Sequence, residues 1–295
     1  MQPDLLATFI GALVVNWKGN TPMSMNSVNT NISSMVALQS LNRTTDQLSV
    51  VQKRISTGFR VADAKDDGGA FAVTQAVRSD VAGLTAANEQ LGGTKGVLDT
   101  TFAALSKVSE SMVKVRETLT RMADGTLNSE QFDQYSAQYT ALRTQIQNFV
   151  SDATYNGRTL LDTADGDIVT TRNEAGDTFT VTAIDGATDL VVAAAPADVT
   201  AAQTALAAGG DYETVESAIA DALNQFGSDS KYIDAQIRYN KDKVDAMEGG
   251  LGALIDADLA KESAKLQSLQ IRQQLGTQAM SIANQSPQTL LSLFR

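Results

Sequence analysis

Three aspartates near the first interruption of the helical pattern are the residues whose types and spacing could do chemistry. Asp63, Asp66 and Asp67 lie in the stretch ISTGFRVADAKDDGGA, residues 55–70. Carboxylates grouped in this way can bind Ca²⁺ or Mg²⁺. Their spacing does not match a calcium-binding loop, and Asp66 or Asp67 also suits the cap and first turn of a following helix. We therefore favour a structural role for these aspartates over a metal site.

The composition removes most other catalytic and metal-binding chemistry. The 295 residues include no histidine and no cysteine. The chain therefore has no imidazole base, no thiolate nucleophile and no soft ligand for zinc or an iron–sulfur cluster. Its sequence contains no recognisable phosphate-binding loop or nucleophile–base pair. These absences favour a protein that is not an enzyme, with no catalytic residue, no cofactor and no metal. The alternatives are an enzyme built on Asp, Glu, Lys, Ser or Tyr and a carboxylate site for calcium or magnesium.

The acidic residues are concentrated in the middle of the chain. Residues 152–229 hold 14 acidic residues but only Arg158 and Arg172 as cations, whereas the formal net charge of the whole chain is −11. This distribution predicts a middle that faces water and two flanking parts that face protein, although solubility alone could also explain it. No basic patch with interleaved aromatic residues is present, so we expect no nucleic-acid partner.

The first 22 residues differ in character from everything after them. The apolar run over residues 5–15 is shorter than the roughly 20 residues that span a bilayer, so we expect no membrane insertion. Asp4 replaces the basic start of a secretory signal. Our hypothesis is that residues 1–22 are an untranslated leader and that the chain starts at Met23 or Met25.

The helix that follows carries a narrow apolar seam with alternating spacings of four and three residues. Its members are Ala37, Leu41, Thr44, Leu48, Val51 and Ile55. Most of the remaining positions are Ser, Thr, Asn or Gln. A stripe this narrow cannot stabilise an isolated helix of that length, so the helix needs a partner.

The other end of the chain offers that partner. A second stripe changes phase near Ile271 and consists of Ile255, Leu259, Leu266, Leu269, Leu275, Ala279 and Ile282. One interpretation is an ordinary coiled coil within one chain. The other is that both stripes are completed only when many copies pack together.

Between the two ends, the pattern predicts helices and one small β-hairpin. The first helix, from 71 to about 121, repeats apolar residues every seven positions at Leu84, Leu91, Leu98, Leu105 and Met112. The other predicted helices cover 129 to about 153, 212–226 and 229–247. The hairpin comprises residues 168–170 and 178–182, and residues 190–192 are a candidate further strand.

Two glycine-rich breaks divide the helical pattern. Gly58 fits a left-handed helix end, where a β-carbon would be penalised. We predict joints at Gly58, Asp66, Asp67, Gly249, Gly250 and Gly252. The predicted segments are the leader (1–22), an N-terminal helix (23–58), a helical rod (59–155), a short acidic surface-exposed middle (156–228), a rod helix (229–250) and a C-terminal helix (251–295).

These patterns predict a mainly α fold. It is a long antiparallel helical hairpin or rod, with terminal coiled-coil segments and a small central β-hairpin. The two stripes predict subunit packing through Leu41, Leu48, Val51, Ile55, Leu259, Leu266, Leu269, Leu275 and Ile282.

The two ends also resemble those of a known family. The amino-terminal signature of bacterial flagellins is similar to SVNTN (27–31) and RISTGFRV (54–61), with Ala64 and Asp66-Asp67. Residues 255–295 resemble the carboxy-terminal signature of the same family, in the form found in alphaproteobacteria. The resemblance covers residues 25–295, and the usual large outer domains are absent.

The resemblance implies a structural subunit that polymerises into the extracellular flagellar filament for motility, with 23–58 and 251–295 as the filament core. It implies export by the flagellar type III apparatus with a chaperone, and contact with the filament cap and hook-junction proteins. A hook–filament junction protein and a secreted helical effector or adhesin are the alternatives. Many relatives carry Gln-Arg-x-Arg-Glu-Leu in the helix read by the innate flagellin receptor. Residues 113–118 read VKVRET here, which argues against recognition by that receptor.

Overall fold

The computed structural model describes residues 30–293, with side chains described as far as residue 285. The expected leader, Met23 and Met25 lie outside the described residues. The fold is mainly α with one two-stranded antiparallel sheet, as the sequence predicts. In chain order the elements are α1 (Ile32–Thr57), α2 (Gly68–Met122), α3 (Ser129–Ser151), β1 (Ile168–Thr171), β2 (Thr178–Val181), α4 (Gly186–Asp189), α5 (Val199–Leu206), α6 (Asp211–Ile255) and α7 (Leu259–Leu293).

The chain forms two compact units. The terminal unit runs to Phe71 and resumes at Ile255, and the central unit comprises Ala72–Leu254. Each unit therefore contains chain from both sides of the acidic middle. None of the described helices combines the length and apolar character needed to cross a bilayer.

The core of the central unit follows a strict heptad pattern on α2. The five predicted heptad residues, from Leu84 to Met112, are all buried. Thr94 and Thr101 continue the same seam, and their hydroxyls donate to the carbonyls of Gln90 (3.2 Å) and Val97 (2.9 Å). Because these hydroxyls are satisfied within their own helix, they are buried without an unpaired polar group. The seam packs against buried residues of α3 and α6, including Tyr139, Ile146, Phe226 and Ile233.

The predicted β-hairpin is present and is anchored on α6. In its register Ile168 pairs with Val181 and Thr171 with Thr178. The backbone carbonyl of Arg172, at the end of β1, accepts from Gln236 Nε2 (3.1 Å) and from Asn240 Nδ2 (2.9 Å). Asn240 is fully buried and also donates to Asn88 Oδ1 on α2 (3.0 Å). Side chains of α6 therefore hold the hairpin at its turn by hydrogen bonds to a backbone carbonyl.

Two expected features of the middle are wrong. Residues 190–192 form no strand; their side chains are buried, and the carbonyl of Val192 accepts from Arg143 Nε (2.9 Å) on α3. The two helices expected over 212–226 and 229–247 are a single helix, α6. Gly227 lies within this helix and does not break it. A β-carbon there would lie 3.4 Å from the Phe102 ring, which is an ordinary van der Waals contact.

α6 also continues through Gly249, Gly250 and Gly252 and ends only at Ile255. The expected break at these glycines is therefore misplaced. Glycine weakens a helix by roughly 0.5–1 kcal/mol relative to alanine, and hydrogen bonds on both sides outweigh that cost here.

Leu98→Ala tests the heptad core of the central unit. Leu98 is 0% exposed, so its truncation leaves a cavity, and we expect a loss of about 2–5 kcal/mol in the free energy of unfolding. Val113 lies on the same helix but is 67% exposed, so Val113→Ala should change that free energy by no more than about 0.5 kcal/mol. Urea denaturation followed by circular dichroism measures both. Equal effects of the two substitutions would contradict the assigned core.

Candidate functional site

The first and last described helices pair side by side in the terminal unit. Near one end of the pair, Asn31 Nδ2 donates to the carbonyl of Ala283 (2.8 Å). Near the other end, Arg54 Nη1 donates to Glu262 Oε1 (3.2 Å). Residue numbers rise along α1 as they fall along α7, so the two helices are antiparallel.

The seam expected on α1 faces α7. Leu48 and Val51 are buried against Leu269, with Ile55 and Leu266 packed at the edge of this cluster. Leu41, one heptad before Leu48, is partly buried and contacts the backbone of α7 at Gly276. The hydrophobic core of this pair is therefore small, with only three fully buried aliphatic side chains among the described residues.

The seam on α7 has no change of phase. Its buried and partly buried positions alternate in spacings of four and three, at Glu262, Leu266, Leu269, Gln273, Gly276, Met280 and Ala283. Four of the residues expected in the pairing stripe are exposed instead, namely Leu259, Leu275, Ala279 and Ile282. The apparent phase shift is therefore a second stripe, and glycine at 276 allows Leu41 to pack closely on the first.

We define the outer stripe of α7 as Ile271, Leu275 and Ile282. At 100° per residue these side chains lie on the face opposite the seam. Leu275 is 57% exposed and Ile282 is 69% exposed. The outer stripe of α1 is defined in the same way as Ile32, Met35, Val36 and Val50, which are all exposed. Each helix of the pair thus presents apolar residues to solvent within the described structure.

Gly58 ends α1 in the left-handed conformation expected from the sequence. Its φ is 76°, and its N–H donates to the carbonyl of Arg54 (2.9 Å). The chain next to it pairs with the segment before α7, because Ala257 N donates to Gly58 O (2.9 Å) and Arg60 N donates to Ile255 O (2.6 Å). These hydrogen bonds close the end of the α1–α7 pair.

The three aspartates at this joint are occupied by protein donors. Lys53 Nζ lies 2.6 Å from Asp63 Oδ2 and 2.9 Å from Asp66 Oδ2. The hydrogen bonds from Lys53 lower the pKa of both carboxyls and raise the pKa of the lysine. Asp67 Oδ1 accepts from Ala70 N (3.0 Å), as expected at the start of α2. The cation that Asp63 and Asp66 contact is therefore the ammonium group of Lys53.

The second joint lies after the predicted glycines. Gly249 and Gly250 are exposed in the middle of a helical turn, and the break falls at residues 256–258. Asp258 Oδ1 accepts from Lys261 N (3.0 Å), so Asp258 caps α7. Asp258, which directly precedes α7, was the sequence signal that would have placed this joint correctly.

The ion pair between Arg54 and Glu262 was not found by sequence reasoning. Their side chains are only 25% and 12% exposed. Arg54 Nε and Glu262 Oε2 are both buried without a hydrogen-bond partner, so the pair makes a single contact. Glu262 occupies a seam position four residues before Leu266, which is the only sequence cue to its burial.

Comparison with known proteins identifies the family. A family model of the bacterial flagellin N-terminal helical region matches residues 28–165, and one of the bacterial flagellin C-terminal helical region matches residues 212–294. The chain is 36% identical over 276 residues to Flagellin FljK of Caulobacter vibrioides, covering 92% of this chain and 100% of that protein. It is 34% identical over 283 residues to a flagellin of Brucella melitensis, with the same coverage.

A solved structure, that of Bacillus cereus flagellin, is similar with a TM-score of 0.47 and 25% sequence identity, over 52% of this chain and 88% of that chain. The family models span both ends of the sequence, and the two relatives align along their whole length. The chain therefore belongs to the bacterial flagellin family.

Proposed function

We propose that this flagellin, a structural subunit of the extracellular filament of the bacterial flagellum, polymerises through the outer stripes of α1 and α7. The observation that carries the proposal is the exposure of Ile271, Leu275 and Ile282 on the face of α7 opposite its seam. A helix with apolar residues on two opposite faces is stable in water only when both faces are covered. The pairing with α1 covers one face, and neighbouring copies of the chain cover the other.

The thinness of the α1–α7 core supports the same conclusion. Among the described residues, Leu48, Val51 and Leu269 form its buried aliphatic cluster, whereas the central unit has a continuous core along α2. Ordering long helices costs conformational entropy, and three buried aliphatic side chains offset little of it. The terminal helices therefore gain most of their order when the chain joins the polymer, as disordered segments do when they meet a partner.

The outer stripes also suit an open polymer. Contacts between different surfaces of successive copies generate a helical filament when the rotation does not close a ring. Because the seam and the outer stripes are different surfaces, a copy can pair its own helices and still bind its neighbours. The seam therefore pairs the helices of one copy, and the outer stripes bind other copies. This role is structural and has no catalytic step.

We extend the proposal to export and to the other flagellar components. Terminal helices that bury few apolar side chains and the absence of cysteine favour passage as an extended chain through the flagellar type III apparatus with a chaperone. The subunit is then added beneath the filament cap, beyond the hook-junction proteins. Secretion by a strain lacking the type III apparatus would contradict this route.

Leu275→Asp tests the outer stripe of α7. A buried carboxylate in the contact between copies is costly, so we expect the amount of sedimented polymer after seeding to fall at least about tenfold. Gln270→Asp is the matched control, because it adds the same charge to an exposed position on the same helix, outside the stripe. Both variants should keep the unfolding midpoint of the central unit. Normal filaments from Leu275→Asp by electron microscopy would count against the proposal.

Gly58→Ala tests the joint that allows α1 and α7 to pair. Because Gly58 has a φ of 76°, a β-carbon there should cost about 1–2 kcal/mol of terminal-unit stability and reduce polymer yield. Gly249→Ala is the matched control: Gly249 is helical with open space around it, so alanine should stabilise by about 0.5–1 kcal/mol. Hydrogen exchange of α1 and α7 in sedimented polymer measures both effects. Equal protection in the two variants would contradict the role of Gly58.

A further inference from the structure

The α1–α7 seam does not fix its own register. Both helices repeat apolar or small residues every seven positions, as Leu41, Leu48 and Ile55 do on α1. Sliding α7 along α1 by one heptad would again place apolar or small side chains opposite apolar ones at most seam positions, and would move Gln273 to the place of Leu266 or Met280. In coiled coils of this kind, register is set by individual polar or specially shaped positions.

Arg54 and Glu262 form such a position. In one slipped register, Glu262 would take the place of Leu269 and bring an unpaired carboxylate among aliphatic side chains. In the opposite slip, Leu269 would take the place of Glu262 and leave the guanidinium of Arg54 without its partner. Each slip therefore leaves a largely buried charge uncompensated, which is strongly unfavourable.

The ion pair between Arg54 and Glu262 is poorly suited to stabilising the fold. Its single contact of 3.2 Å leaves Arg54 Nε and Glu262 Oε2 buried and unpaired. Replacing an incompletely satisfied buried ion pair by apolar residues of similar volume is often neutral or stabilising. The penalty against wrong registers, in contrast, depends on the charges being present.

The close fit between Leu41 and Gly276 also disfavours the slipped registers. A β-carbon at Gly276 would lie 3.2 Å from Leu41 Cδ1, so Leu41 fits closely against the glycine. In a slipped register Leu41 would face Leu269 or Ala283, and each has a β-carbon where Gly276 has none. The fit between Leu41 and Gly276 therefore also favours the observed register.

We propose that the ion pair between Arg54 and Glu262 selects the register in which α1 and α7 of one chain pair. By doing so it sets the axial position of the two outer stripes relative to each other. The consequence for the stripes rests on the proposed function, whereas the selection of register does not.

The chain permits a direct measurement of this register. It contains no cysteine, so an introduced pair forms the only possible disulfide within it. A β-carbon at Gly276 would lie 3.9 Å from Leu41 Cβ, within the range of about 3.5–4.5 Å found in disulfides. Leu41→Cys with Gly276→Cys thus reports the observed register. Leu41→Cys with Ala283→Cys reports a slip of one heptad. Both reporters replace Leu41, so neither depends on its fit to Gly276. The hydrogen bonds between residues 58–60 and 255–257 are the same in every variant, and the ion pair is the determinant that the comparison changes.

The experiment compares the two reporters with Arg54 and Glu262 intact and with Arg54→Leu combined with Glu262→Leu. Full-length chains are oxidised in a glutathione buffer, both soluble and in sedimented polymer, and bonds within one chain are separated from linked dimers by non-reducing gels and mass spectrometry. With the ion pair intact, we expect the reporter of the observed register to oxidise at least about tenfold more than the slipped one. In the leucine background we expect a ratio below about threefold, with an unchanged or higher unfolding midpoint.

Charge exchange is the rescue control. Arg54→Glu combined with Glu262→Arg should restore the preference, whereas either single substitution should not. An unchanged ratio in the leucine background, or equal oxidation of the two reporters with the ion pair intact, would overturn the proposal. Polymer yield is measured in the same samples, so a charge-exchanged variant that regains the register preference but forms no polymer would count against the proposed function alone.

Discussion

The structure depends on how little apolar surface α1 and α7 bury against each other. α1 and α7 contact one another along a seam whose buried aliphatic cluster, among the described residues, consists of Leu48, Val51 and Leu269. The central unit has the opposite character, with a heptad core that continues along α2. The same sequence thus contains one unit with an extensive buried core and one whose described helices bury few apolar side chains. A filament subunit needs both, because it must persist as a folded body and also bind its neighbours.

Much of this arrangement could be read from residue spacing. The seam of α1, the heptads of α2 and the hairpin follow from local periodicity, which is the strongest signal that a sequence carries. Gly58 takes the left-handed conformation that the sequence indicated, and of the two aspartates considered for the cap, Asp67 accepts the first-turn N–H, because left-handed helix ends and helix caps have few alternative residues. Where backbone conformation selects the residue type, sequence reasoning was accurate.

The misplaced features depend on contacts between distant parts of the chain. Gly249 and Gly250 look like a break in the sequence, but neighbouring turns carry α6 through them to Ile255. α7 has two apolar stripes, and only its fit to Leu41 through Gly276 decides which one faces α1. The burial of Glu262 likewise depends on Arg54, which lies at the other end of the sequence. The local cues, Asp258 before α7 and the seam position of Glu262, do not identify these distant contacts.

The anchoring of the hairpin has a consequence for variation at the surface. Gln236 and Asn240 hold the turn through the backbone carbonyl of Arg172, an atom that every amino acid possesses. Exposed side chains of the turn can therefore be exchanged without loss of these two hydrogen bonds. Such an attachment tolerates substitution of the exposed residues of the turn while the helices beneath it stay the same.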